Sequence, residues 1–260
     1  MGRTPSRTLG LVASATVLAL IASACGSGAD EQQEPAPAFG SVPLHDTNDH
    51  YAWAYDIGHG EDDIGYGIVV DSDGNVYVTG LFRGTDVDFD PLGGVHSIGS
   101  DGKPPSKLTA GVDSDVFFAK YDSDGVYQWA SNFGGGEDDA GRGIAVDSDG
   151  NVYVTGLFRG TDVDFDPLGG VHSIGSDGKP PSKLTATSTN NKSDVFLAKY
   201  DSDGVYQWAY DFGGDYDDAG FGIAVAEGLD GVDYVYITGL FRGTDVDFDP
   251  LGGVNTPSSK

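Results

Sequence analysis

Short runs of β-branched and aromatic residues, separated by acidic turns, set the pattern of this chain. Gly67-Ile68-Val69-Val70, then Asp71-Ser72-Asp73-Gly74-Asn75, then Val76-Tyr77-Val78-Thr79, predict a hairpin. The branched and aromatic side chains suit strands, and the Asp-Gly pair supplies the positive-φ position of a tight turn. A second hairpin is predicted over Val116-Phe117-Phe118-Ala119-Lys120-Tyr121, the turn Asp122-Ser123-Asp124-Gly125, and Val126-Tyr127-Gln128-Trp129-Ala130. Both recur around the turns Asp147 to Gly150 and Asp201 to Gly204, and a longer turn, Ala226 to Asp233, takes the place of the first in a third copy. Apolar residues occupy both faces of these strands: Val116 and Phe118 point one way, Phe117, Ala119 and Tyr121 the other. A sheet with one wet face alternates more cleanly, so each sheet is expected to be sandwiched between neighbours.

The repetition is nearly literal. Trp53, Trp129 and Trp208 are 76 and 79 residues apart, and Val70 to Ala110 is identical to Val146 to Ala186. Cores accept many substitutions of similar volume, so identity over 41 residues points to recent internal duplication. The three extra residues of the second period fall where Thr187 to Lys192 replaces Gly111 to Asp113, which marks a loop. Two hairpins make the four strands of one propeller blade, and stacked blades bury each other's faces.

The segments GIAVDSDGNVYVTG and SDVFLAKYDSDGVYQWA resemble the bacterial beta-propeller repeats called SBBP repeats, over about Tyr51 to Asn255. The resemblance implies a propeller fold in exported proteins, and it brings no catalytic site. The expected fold is therefore all-β, tandem four-stranded antiparallel propeller blades in an incomplete or open propeller of about two and a half blades. The repeats are read at about 53–128, 129–207 and 208–260. His50 to Gly58 resembles the last strand of a blade, and open blade edges would invite self-association.

The N-terminal pattern is different. Arg3 and Arg7 precede an apolar run from Leu9 to Ile21 and the small residues Ala22, Ser23 and Ala24, which reads as an export signal over 1–24. The run is shorter than the about 20 apolar residues of a spanning helix. Ile21 to Cys25 resembles the bacterial lipobox, with Ala22 where the family usually has leucine; the resemblance implies that the thiol of Cys25, the single cysteine, carries a diacylglycerol. Acyl chains contribute about 0.8 kcal/mol per buried methylene, so the expected location is exported and membrane-anchored, at the cell surface or periplasmic face. Residues 25–50 are Gly, Ser, Ala, Pro, Gln and acid, the composition of a flexible tether, and the array occupies 51–260.

Charge narrows the partners. The formal net charge is −27, from 41 acids, 36 of them Asp, against 14 bases. Such a chain repels nucleic acid and anionic head groups. It makes cations and protein or glycan ligands the expected partners.

Three acidic patterns carry candidate chemistry. If extended, Gly84 to Pro91 places Asp86, Asp88 and Asp90 on one face, as do Asp162, Asp164 and Asp166, and Asp245, Asp247 and Asp249. Such a row is read either as a Ca²⁺ site or as a solvated strand whose carboxylates cap nearby N–H groups; it lacks the glycine and distal glutamate of an EF-hand. The Asp-Ser-Asp-Gly segments are read first as hairpin turns. Glu61-Asp62-Asp63, Glu137-Asp138-Asp139 and Asp215 to Asp218 could run glycoside hydrolysis, but recurrence in every copy points to a structural or cation-related role. The five histidines, His45, His50, His59, His96 and His172, show no zinc spacing. The tryptophans are read as packing residues between blades. The loops from Pro91 to Ser114 and Pro167 to Ser193 are read as too polar for a core, displayed on one rim as a ligand surface.

The function expected from the sequence is a non-catalytic binding or scaffold module. Two other readings stay open, an extracytoplasmic glycan hydrolase and a fragment of a larger propeller protein.

Overall fold

The computed structural model describes residues 18–22, 51–58, 62–90, 106–166, 182–186, 192–242, 246 and 248. Cys25, Asp245, Asp247, Asp249, Glu61 and residues 91–105 and 167–181 of the long loops lie outside them.

The chain is all-β. Strands β1 (Leu18–Ala22) and β2 (Tyr51–Asp56) run parallel to one another, Ala22 opposite Asp56. The first blade then follows: β3 (Ile64–Val70), β4 (Val76–Phe82), the two-residue strands β5 (Val87–Asp88) and β6 (Lys107–Leu108), β7 (Asp115–Tyr121) and β8 (Tyr127–Phe133). Its sheet has the order β3-β4-β7-β8 with antiparallel neighbours, and β5 pairs with β6 as a small side hairpin. The second blade repeats this with β9 (Ala140–Val146), β10 (Val152–Phe158), β11 (Val163–Asp164), β12 (Lys183–Leu184), β13 (Asp194–Tyr200) and β14 (Tyr206–Phe212). A third unit begins with the antiparallel pair β15 (Ala219–Glu227) and β16 (Asp233–Leu240). Among the described residues no helix is long and apolar enough to cross a membrane.

The turns form for the reason the Asp-Gly spacing predicts. Gly74 has φ 84° and its N–H donates to the Asp71 carbonyl, while the Asp71 N–H donates to the Asn75 carbonyl. The Asp71 carboxylate accepts the N–H groups of Asp73 and Asn75, the Asn75 amide and the Tyr77 hydroxyl. Asp147 does the same in the second blade. These carboxylates serve as turn caps.

Both sheet faces are covered. Val116 and Phe118 of β7 belong to a core shared with Ile144, Val154 and Phe196 of the second blade, whereas Phe117, Ala119 and Tyr121 pack with Trp53, Val78 and Phe89. β2 plays the part of a blade's last strand: the Trp53 ring lies against Gly125 as the Trp129 ring lies against Gly204. The Trp129 Nε1–H also donates to the Ser202 carbonyl at 3.1 Å, so the tryptophans join one blade to the hairpin turn of the next.

The described residues 106–114 of the first long loop are mixed: Ser106, Ala110 and Ser114 are buried, whereas Thr109, Gly111 and Val112 are exposed. The segments that lead into the loops join the core. Val87, Phe89 and Ala110 are buried in the first blade's core, the Phe89 carbonyl accepts the buried Tyr121 hydroxyl at 2.8 Å, and Ser106 is fully buried. Val163, Phe165 and Ala186 repeat this in the second blade. The apolar positions between the aspartates were the signal, and burying them draws the side hairpin onto the sheet.

Candidate functional site

The inner strands carry the same irregularity three times. In β3, β9 and β15 the register against the next strand shifts between two glycines, Gly65/Gly67, Gly141/Gly143 and Gly220/Gly222. The residue between them is a bulge, which re-aims its side chain out of the regular alternation. It is Tyr66 in the first unit, Arg142 in the second and Phe221 in the third. The glycines bring the inner strands close: a β-carbon at Gly143 would lie 2.9 Å from the Phe221 carbonyl oxygen, and one at Gly67 3.2 Å from that of Arg142. The Arg142 guanidinium therefore sits between two rings, 5.4 Å from the centre of Tyr66 and 5.1 Å from that of Phe221.

Beside this ladder, between the first two blades, is a cavity of about 280 Å³ lined by Arg83, Arg142 and Arg159, by Asp62, Asp138 and Asp139, and by the apolar Ile64, Leu81 and Leu157. The acidic segment at the start of the second blade shapes it. Asp139 is buried, and its carboxylate accepts the main-chain N–H groups of Arg159 at 2.8 Å and Gly135 at 2.8 Å. Asp218 repeats the arrangement with Arg242 at 2.6 Å and Gly214 at 3.0 Å. Asp138 is turned the other way, paired with the Arg83 guanidinium at 2.7 Å and accepting the Ser114 hydroxyl at 2.9 Å. Asp217 is its counterpart, 2.9 Å from Lys192 and 4.0 Å from Arg159. In the second and third acidic segments the last aspartate clamps backbone and the one before it links adjacent blades.

These environments separate the acidities of neighbouring carboxyls. Burial works against the Asp138 anion, but hydrogen bonds from Ser114 and the Arg83 charge hold its carboxyl below the usual range. Burial, with the Asp115 charge adding to it, pushes Asp139 up to about 7 against the pull of the Arg159 and Gly135 N–H groups. The unfolded chain releases that proton near pH ~4. Folding thus takes up a proton in between, so the contribution of Asp139 is full below pH ~4 and is lost as pH rises through about 7. Asp115, Asp211 and Asp218 are raised with the same sign, burial leading in each. The thermal midpoint is expected to fall from about pH 5 to about pH 8, read by calorimetry; a midpoint rising over that window would contradict the assignment.

One difference between the repeats should be correctable. The Asn132 amide donates to Asp115 at 2.9 Å in the first blade, while its counterpart Asp211 faces Asp194, which with burial raises the Asp211 carboxyl. Asp211→Asn is expected to stabilise the fold by about 1 kcal/mol at neutral pH by exchanging repulsion for a hydrogen bond. Urea unfolding of the two proteins would show it, and an unchanged or lower midpoint would refute it.

Two of the acid rows read as metal ligands fall among the described residues. Asp86 and Asp162 have φ of 58° and 57°, so each run is left-handed at its first aspartate and extended only from the next residue. Asp88 accepts the Asp90 N–H at 2.9 Å and Asp164 that of Asp166 at 3.1 Å, while Asp90 and Asp166 are buried. Among the described residues no group of three or more His, Cys, Asp or Glu could hold a metal ion. The arginine cleft was missed by sequence reasoning. Its signal was the G-x-G triplet whose middle residue changes while its surroundings repeat.

Tandem antiparallel four-stranded sheets, stacked through both faces, define the class: an open beta-propeller repeat array. Comparison with known families agrees, the beta-propeller repeat SBBP matching residues 54–81 and 128–157, so the chain carries SBBP-type repeats there. It is also 28% identical over 223 residues to an uncharacterised WD repeat-containing protein of Acanthamoeba polyphaga mimivirus, covering 79% of this chain and 14% of that relative's length.

Proposed function

We propose that the chain is an exported, non-catalytic binding and scaffold module, held to a membrane through lipidated Cys25. The observation that carries the binding role is the repeated cleft-forming contact between blades, in which Arg83 meets Asp138 and Arg159 meets Asp217. The SBBP repeats and the likeness to a WD repeat-containing protein support the same reading. The anchor rests on the lipobox-like Ile21 to Cys25 and the apolar run before it.

Glycan hydrolysis needs an acid and a base or nucleophile about 5 to 9.5 Å apart and open to substrate. In the second blade Asp138 is ion-paired and both oxygens of Asp139 are taken by main-chain N–H groups. Two experiments test the proposal. The full chain, expressed in a bacterium fed an alkyne-tagged fatty acid, is expected to be labelled, and Cys25→Ala to lose the label and leave the membrane fraction; an unlabelled wild-type chain removes the anchor. Screening against polysaccharides is expected to show no turnover, and hydrolysis abolished by Glu137→Gln would overturn the non-catalytic reading.

A further inference from the structure

We propose that the cleft between the first two blades binds a small carboxylate with a short apolar tail, and that Arg142 is the residue that pairs with it. The proposal rests on the reading of the array as a binding module and names the ligand class of one cleft.

Arginine is scarce here, and it is concentrated. Beyond residue 7 the chain has four arginines, Arg83, Arg142, Arg159 and Arg242, in a protein of net charge −27. Three of the four line the cavity between the first two blades. Arg83 and Arg159 occupy the same position of the duplicated repeat and are committed to linking blades: Arg83 to Asp138 at 2.7 Å and Arg159 to Asp217 at 4.0 Å. Arg142 stands outside that pattern, since the corresponding residues are Tyr66 and Phe221.

The surroundings of Arg142 leave one kind of contact open. The Tyr66 and Phe221 rings flank the guanidinium carbon at 5.4 and 5.1 Å, which leaves its N–H groups to make the polar contact. Its Nε is buried and makes no hydrogen bond, and none of the ion pairs among the described residues involves it. A buried charged donor without an acceptor is costly, and a stacked guanidinium is held ready for a planar, two-oxygen partner. The bulge between Gly141 and Gly143 fixes the side chain's direction from the backbone.

The cavity selects among anions. Ile64, Leu81, Ala140 and Leu157 give it apolar walls, suited to a short hydrocarbon tail. Asp62 and Asp138 also line it, and together with the overall charge they oppose a polyanion or a doubly charged phosphate. A volume of about 280 Å³ suits a molecule of few heavy atoms.

The test is a titration of the ¹⁵N-labelled full chain with butyrate, following the arginine Nε–H resonances, with butyramide as the neutral isostere and inorganic phosphate as the unselective anion. Butyrate is expected to shift the Arg142 resonance saturably while butyramide does not, and Arg142→Gln to weaken butyrate binding about tenfold or more, the loss of one charge-assisted hydrogen bond. Arg242→Gln, in the third unit, is expected to leave it unchanged. If Arg142→Gln does not fold, Arg142→Lys, which keeps the charge and loses the fork, is expected to weaken binding less steeply. No shift with butyrate, equal shifts with butyramide, stronger binding of phosphate, or indifference to the Arg142 variants would each overturn the proposal. None of these results is turnover, so the carboxylate site can fail while the non-catalytic binding reading stands.

Discussion

Phe133→Ala is expected to destabilise the array by about 3 to 5 kcal/mol, the range for a large aromatic removed from a core that cannot collapse around the gap. Phe133 ends β8, on the first blade, yet its partners are largely on the second: the ring centres of Phe165 and Phe196 lie 4.4 and 5.1 Å away, and that of Phe118 on its own blade 6.2 Å. Loss of the ring therefore weakens the junction between blades more than either sheet. In a nearest-neighbour array, unfolding should then separate into two steps where the parent protein shows one. The counterpart Phe212, which is only half-buried, provides the comparison: Phe212→Ala is expected to cost about half as much or less. Denaturant unfolding followed by tryptophan fluorescence measures both, and equal costs would show that Phe133 has no junction role.

Gly156→Ala is expected to be at least as damaging, by about 3 kcal/mol or more, through overpacking instead of a cavity. Gly156 lies in the middle of β10, opposite the bulge, where a methyl group would overlap the Ala140 carbonyl oxygen and lie 3.0 Å from the Phe196 ring. The Ala140 oxygen belongs to the neighbouring strand of the same sheet and Phe196 to the core, so neither can withdraw without breaking pairing or packing. Gly136, with nothing within 4 Å of the corresponding position, is the control; Gly136→Ala is expected to change stability by no more than about 0.5 kcal/mol. A folded Gly156→Ala protein with an unchanged melting temperature would mean that the bulge is not needed for the sheet.

Much of this architecture could be read from the chain, because it depends on local physics. Hairpins follow from the Asp-Gly turns, whose carboxylates cap the backbone within four residues of themselves. The burial of both faces follows from the unbroken apolar run Val116 to Ala119, and the junction role of tryptophan from its fixed place in each period. The left-handed backbone of Asp86 and Asp162, by contrast, is not encoded in the alternation of the acidic rows. Asp138 and Asp139 are adjacent letters, but one is held ionised by hydrogen bonds from Ser114 and by Arg83, and the other is pushed towards its neutral form by burial.

The repeat, with its strands, turns and the two-sided apolar character of each sheet, is set by residues within a few positions of one another. Which side chains meet across a blade junction was decided only by the tertiary structure. Arg142, Tyr66 and Phe221 are separated by 76 and 79 residues and come together only because three bulged inner strands stack side by side. Neither the pattern of a single strand nor its composition encodes that stacking; it follows from the free energy of burying both faces of every sheet against its neighbours.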